Sequence, residues 1–276
     1  MDNVNQLLRN LPKVDEVLKK FDSCYDRDLL KYVINSILDR YRQKIRNGIL
    51  KYVDIDKIIE DIKISYSKFV RGSLVKVVNA TGIPIHTNLG RSPILYDVYE
   101  MSKDIICGYS NLEFDLEEGS RGDRYFHCDQ YLRYLTGAES SLVVNNNAAA
   151  VFLILNSFAK DREVIVSRGE LIEIGGSFRL PDVMTASGAI LREVGTTNKT
   201  KLSDYYNAIN DKTSIIMKSH TSNYKIIGFT ESVSLEEIAK LSAQNNLISY
   251  YDAGSGAMID FNFGNCFEKS VKNVVE

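Results

Sequence analysis

Ile248-Ser249-Tyr250-Tyr251-Asp252-Ala253-Gly254-Ser255-Gly256 runs from apolar and aromatic residues straight into a carboxylate, and glycines follow at once. A short apolar run closed by glycine reads as a buried strand of a parallel sheet. Ligands of open α/β sheets bind outside the carboxyl ends of strands, which is where Asp252 falls. A carboxylate held there away from water needs a cationic partner. The protonated ring nitrogen of pyridoxal phosphate is one such partner, and an acid in that role makes the ring a better electron sink. The alternative is an Asp that only caps a strand-end turn.

The residues around this stretch repeat its theme. From Leu74 onward, β-rich runs at Val75–Val78, Ser141–Val144, Glu163–Ser167, Ala189–Val194, Ser214–Met217 and Leu247–Tyr251 are expected strands. Helical spacing appears at Arg124–Leu135, Ala148–Ala159, Leu202–Ile209 and Leu235–Gln244, and again at the start of Glu268–Glu276. Strands alternating with helices build right-handed βαβ units, so the expected fold class is α/β, a mostly parallel sheet with helices on both faces.

Residues 1–70 differ. Leu29, Leu30, Val33, Ile34, Ile37, Leu38, Tyr41 and Ile45 recur at three- and four-residue steps, one face of a long helix capped by Asp26 and ending near Gly48. A second helix reads through Ile55, Ile58, Ile59, Ile62 and Phe69, and a shorter one runs from Val14 to Phe21. The expected organisation is a small helical domain over 1–70 followed by the α/β core over 71–276. Residues 1–70 carry fourteen Lys/Arg against eleven Asp/Glu, whereas the remainder carries twenty against twenty-five. That asymmetry agrees with a nucleic-acid-facing appendage and equally with a solvated helix surface.

Composition excludes several classes. The four cysteines are scattered, without a CxxC pair, and no export signal opens the chain, so a reducing cytoplasm is expected rather than a disulfide framework. His86, His127 and His220 lack metal-ligand spacing, and no apolar run approaches membrane-span length. Neither a Ser/His/Asp nor a Cys/His nucleophile arrangement stands out.

Three other stretches could carry chemistry. Asn145-Asn146-Asn147-Ala148 sits at an expected strand-to-helix turn, where small and amide residues let backbone N–H groups approach a phosphate. It is neither a Walker A loop nor GxGxxG, and an ordinary Asn cap is the alternative. Arg91, in His86-Thr87-Asn88-Leu89-Gly90-Arg91, and Arg121, in Gly119-Ser120-Arg121-Gly122, lie in turn-rich loops that can aim guanidinium groups at anions or pair with structural acids. His220 follows an expected strand and could face the same cleft or be structural.

In chain order, Leu8–Asp15, Asn79–Gly82 with His86–Arg91, Tyr109–Glu113, Gly119–Gly122, Val144–Ala149, Ser167–Glu170, Val194–Asn198, His220–Tyr224 and Asp252–Gly256 resemble the bacterial selenocysteine synthases, the L-seryl-tRNA(Sec) selenium transferases. The resemblance runs from the first helix to the last residue. It implies a fold-type I enzyme dependent on pyridoxal 5′-phosphate, which eliminates water from serine esterified to tRNA(Sec) and adds selenium from selenophosphate. Asp252 would then pair with the pyridinium nitrogen, and His220 would belong to the cofactor site. Asn145, Asn146, Asn147 and Ala148 would hold the cofactor phosphate. Arg91 and Arg121 would meet anionic substrate groups, selenophosphate among them. The N-terminal helices would contribute to tRNA binding, and the subunits would assemble as a ring of dimers in the cytoplasm.

One departure matters. The family's Schiff-base lysine lies in a Ser-Gly-Asp-Lys motif that these 276 residues do not contain, and Lys218, Lys269 and Lys272 sit in no matching context. The expectation is an N-terminal part of the enzyme that lacks turnover by itself. Alternatives are a non-catalytic tRNA-binding module, or a pyridoxal phosphate enzyme acting on another amino-acid substrate.

Overall fold

A computed structural model of the chain describes residues 2–174, 178–221, 223–263 and 266–276, which divide into two compact units, Met1–Pro93 and Ile94–Glu276.

The first unit is built on helices α1 (Asp2–Arg9), α2 (Val14–Leu18), α3 (Arg27–Arg46) and α4 (Ile55–Arg71). Asp26 caps α3 by accepting the Leu29 N–H at 2.8 Å, and its own N–H donates to the Tyr66 hydroxyl of α4 at 2.8 Å. Gly48, at φ 70°, turns the chain away after α3. The α3 stripe is buried from Leu30 to Ile45, with Leu29 packed at its margin. On α4 the buried line is Ile58, Ile62 and Tyr66, spaced four residues apart. Ile55 and Phe69, expected on that face, are instead exposed, and the Phe69 ring meets Tyr32 edge-on.

In the second unit a four-stranded parallel sheet has the order β2-β1-β3-β4, with β1 Glu163–Ser167, β2 Ile190–Val194, β3 Thr213–Ser219 and β4 Ile248–Asp252. The unit also contains α5 (Tyr96–Cys107), α6 (Phe126–Thr136), α7 (Asn147–Phe158), α8 (Leu180–Ala186), α9 (Leu202–Ala208), α10 (Leu235–Gln244) and α11 (Val271–Val275). Alternation along the strands makes two cores. Val164, Val166, Ile215 and Met217 pack against Val151 and Leu155 of α7 and Leu180 and Met184 of α8. Ile165 and Ile216 face the other way, onto Tyr205 of α9 and Ile238 and Leu241 of α10. The α/β class with a parallel sheet covered on both faces is therefore observed. Short antiparallel ribbons pair Phe114–Asp115 with Ser120–Arg121, Glu173–Ile174 with Phe178–Arg179, and Phe261–Phe263 with Cys266–Glu268.

Two expected strands do not form. Val75–Val78 and Ser141–Val144 are irregular, with Val78 91% exposed and Val143 52% exposed. A β-prone run becomes a strand only beside a partner that takes up its backbone hydrogen bonds, and neither run has one among the described residues. Among these residues no helix is long and apolar enough to cross a membrane.

Candidate functional site

The chain leaves β1 toward β2 on one side of the sheet, then crosses back to β3 and on to β4 on the other. This reversal opens a crevice beyond the carboxyl ends of β1 and β3, where ligands of doubly wound sheets bind. Asp252 ends β4 next to it.

Asp252 is 2% exposed. One carboxylate oxygen, Oδ1, accepts the Asn147 side-chain N–H at 2.8 Å and the Gly254 backbone N–H at 2.9 Å. The other, Oδ2, is buried and has no hydrogen-bond partner among the described residues. An ionised oxygen in that state is costly unless a donor or cation arrives. Burial, with the Asp252 carboxylate beside it, raises the Tyr250 phenol well above its ordinary value. Ser219 is the register partner of Asp252 on β3 and lies on the same sheet face. Its hydroxyl is likewise buried without a partner among the described residues. The His220 backbone N–H donates to the Asp252 carbonyl at 2.9 Å, so residue 220 is tied to the end of β4.

The amide-rich bend comes to the same place. Asn146 is the N-cap of α7, its side chain accepting the Ala149 N–H at 2.9 Å. Asn147 sends its amide to Asp252 and also to the Gly254 carbonyl at 3.2 Å. The helix N-terminus, with its positive end and the backbone at Asn147 and Ala148, therefore stands beside the acid. Asn145 precedes the cap and is exposed.

At the carboxyl ends of β1 and β3, a cleft of about 330 Å³ is lined by Ser167, Glu170, Thr197, Lys218, Ser219 and His220, among others; Asp252 is not part of its lining. Glu170 is 6% exposed and spans the crevice, accepting the Lys218 ammonium at 2.8 Å and the Ser219 backbone N–H at 3.1 Å. Reading the sequence singles out none of Glu170, Lys218 and Ser219 as site residues. Glu170 does follow β1 as Asp252 ends β4, a carboxylate at a strand's carboxyl end, and that signal was present.

The two arginines are placed differently. Arg121 is exposed and pairs with Glu113 at 3.3 Å, and Arg124 shares the same acid. No hydrogen bond or ion pair among the described residues joins Arg121 to Asp252. Arg91 belongs to the first unit, in the left-handed region at φ 63°, with its backbone N–H donating to the His86 carbonyl at 3.2 Å.

The family model described as L-seryl-tRNA selenium transferase matches residues 77–276. The chain belongs to this family. It is 49% identical to the L-seryl-tRNA(Sec) selenium transferase of Aquifex aeolicus over 257 residues, covering 93% of this chain and 56% of that one. It is 49% identical to the enzyme of the same name from Caldanaerobacter subterraneus over 282 residues, 99% of this chain and 60% of that one. To the Nautilia profundicola protein of that name it is 51% identical over 249 residues, 90% and 55% of the two chains. This family member thus spans between half and two thirds of the length of these relatives. Among solved structures it is similar to D-glucosaminate-6-phosphate ammonia-lyase, at 18% identity and a TM-score of 0.49, over 60% of this chain and 46% of that one.

Proposed function

We propose that this chain holds pyridoxal 5′-phosphate for the conversion of seryl-tRNA(Sec) to selenocysteinyl-tRNA(Sec) with selenophosphate. The observation that carries the reading is the buried Oδ2 of Asp252, without a partner among the described residues, beside the N-terminus of α7. Those residues fit the cofactor. Asp252 would accept the ring N–H, and the α7 terminus at Asn146, Asn147 and Ala148 offers positive backbone dipole to a phosphate. His220, tethered to the Asp252 carbonyl, would stand at the cofactor's edge. When bound, the cofactor supplies an electron sink for chemistry at the serine Cα and Cβ.

The chain's own groups prepare that place. Asn147 and the Gly254 N–H orient the carboxylate so that Oδ2 is the free acceptor. Burial of Asp252 and Ser219 keeps water away from the pair. Lys218, the lysine at the end of β3, is committed to Glu170 and is not offered to a ligand. We further propose that Arg91 and Arg121 meet anionic substrate groups and that the helices over 1–70 contact tRNA, supported by the excess of Lys and Arg there. A charged tRNA as substrate would place the reaction in the cytoplasm. Assembly into a homo-oligomer is supported by α5, which has no buried residue and exposes Met101, Ile105 and Ile106.

The test is titration of the purified chain with pyridoxal 5′-phosphate, followed by absorbance. Removing one partner of a buried charge pair costs at least 2 kcal/mol, so Asp252→Asn is expected to weaken binding roughly 30-fold or more. Equal affinity of the two proteins would refute the reading.

A further inference from the structure

We infer that Glu170 is a positioning residue of this site: its carboxylate bridges the crevice between β1 and β3 and fixes the end of β3, which presents Ser219 and His220 beside Asp252 at the end of β4. The inference rests on the cofactor reading above and adds to it a residue outside the cofactor's direct contacts.

Four observations converge on Glu170. It sits in a single 3₁₀ turn, Arg168–Glu170, that follows β1 directly. That turn cannot shift freely, because a Cβ on Gly169 would lie 2.8 Å from the Thr197 carbonyl and Tyr224 donates its hydroxyl to the Gly169 carbonyl. From this fixed platform the two Glu170 oxygens reach across to consecutive residues of β3, one to the Lys218 ammonium and the other to the Ser219 N–H. Finally, Ser219 is the register partner of Asp252, and the next N–H, that of His220, donates to the Asp252 carbonyl. A displacement of Ser219 is therefore passed directly to Asp252 and His220.

A buried acid–base pair is by itself poor evidence of net stabilisation, because desolvation offsets its attraction. Breaking it from one side leaves an unpaired charge, so the pair favours one arrangement of the crevice over others. The Glu170 charge reaches beyond it: burial first, and then Glu170, raises the Tyr224 phenol above its ordinary value. The platform, the strand end and Tyr224 thus share one electrostatic and hydrogen-bonded node.

The experiment uses the full 276-residue chain with Glu170→Ala, Glu170→Gln and Lys218→Met, and Asp252→Asn as the control for the cofactor. Amide hydrogen exchange without cofactor is read at His220 and, for comparison, at Ile216 in the middle of β3. Glu170→Ala is expected to speed His220 exchange at least tenfold and leave Ile216 unchanged. Glu170→Gln, whose carboxamide oxygen still accepts the Ser219 N–H, is expected to restore most of the protection. Titration with pyridoxal 5′-phosphate is expected to show affinity lowered about tenfold by Glu170→Ala and recovered in part by Glu170→Gln. A merely structural residue would lower the melting temperature without this split. Unchanged exchange at His220 overturns the proposal, as does wild-type cofactor affinity in Glu170→Ala. Identical titrations of wild type and Asp252→Asn would instead overturn the cofactor reading, and the exchange at His220 then decides the role of Glu170 alone. Should Glu170→Ala not fold, Glu170→Asp, one methylene too short to reach the Ser219 N–H from the same turn, carries both readouts with the same direction expected, whereas Lys218→Met, which keeps that bond, is expected to leave His220 exchange near wild type.

Discussion

Asn147 does two jobs at once: it belongs to the first turn of α7, and its amide holds one half of the Asp252 carboxylate at 2.8 Å. Truncating it leaves Oδ1 with the Gly254 N–H alone in a buried setting. Losing a hydrogen bond to a charged buried group costs about 1.5–3 kcal/mol. Asn147→Ala should therefore lower the unfolding free energy by an amount in that range, seen as a lower denaturant midpoint at unchanged slope, and a loss below about 0.5 kcal/mol would contradict the geometry. Asp252 was legible in the sequence because an apolar run, a carboxylate and glycines in that order mark a strand's carboxyl end. Asn147 was legible as a turn residue but not as the acid's partner, since 105 residues separate the two. Ser219 depended on strand register, which no local pattern encodes, whereas Glu170 carried the strand-end signal and only its partners on β3 were hidden.

Helices with a strong apolar stripe and a capping side chain were readable at the scale of elements. Asp26 and the stripe from Leu30 to Ile45 set α3, and α10 forms over Leu235–Gln244, where helical spacing was read. Irregular Val75–Val78 and Ser141–Val144 mark the limit: their β-propensity was real, but pairing is a property of neighbours. The α3–α4 contact makes a pH prediction. Tyr41 donates its hydroxyl to Asp61 at 2.8 Å, and burial, reinforced by Asp61, pushes its phenol up to about 12. A folded value above the unfolded one of about 10 means the contribution is complete below pH 10 and is lost as pH rises toward 12. Alkaline unfolding of the helical unit, followed by circular dichroism, should be shallower in Tyr41→Phe over that window. Parallel curves would show that the phenol does not titrate with unfolding.

Among the described residues the apolar cores are separate, one within the helical unit and one on each face of the sheet. Much of the surface between α5 and α7 is apolar and exposed, including Met101 at 83%, Phe126 at 70% and Tyr134 at 85%. Surfaces of this kind mark association sites. Sedimentation of the purified chain should therefore show a mass above 31.2 kDa that falls on dilution, and a strictly monomeric protein over the micromolar range would contradict the assembly proposed here. The alternation of strands and helices was enough to name the α/β class, whereas this exposed surface was invisible until burial could be seen residue by residue.

The buried Asp252 Oδ2, without a partner among the described residues, is the group that would take the cofactor's ring N–H. The most direct test is the nitrogen-15 resonance of ring-labelled pyridoxal 5′-phosphate bound to the chain at neutral pH. A protonated ring nitrogen in the wild-type protein and an unprotonated one in Asp252→Asn is the predicted result. The same resonance position in both proteins would contradict it.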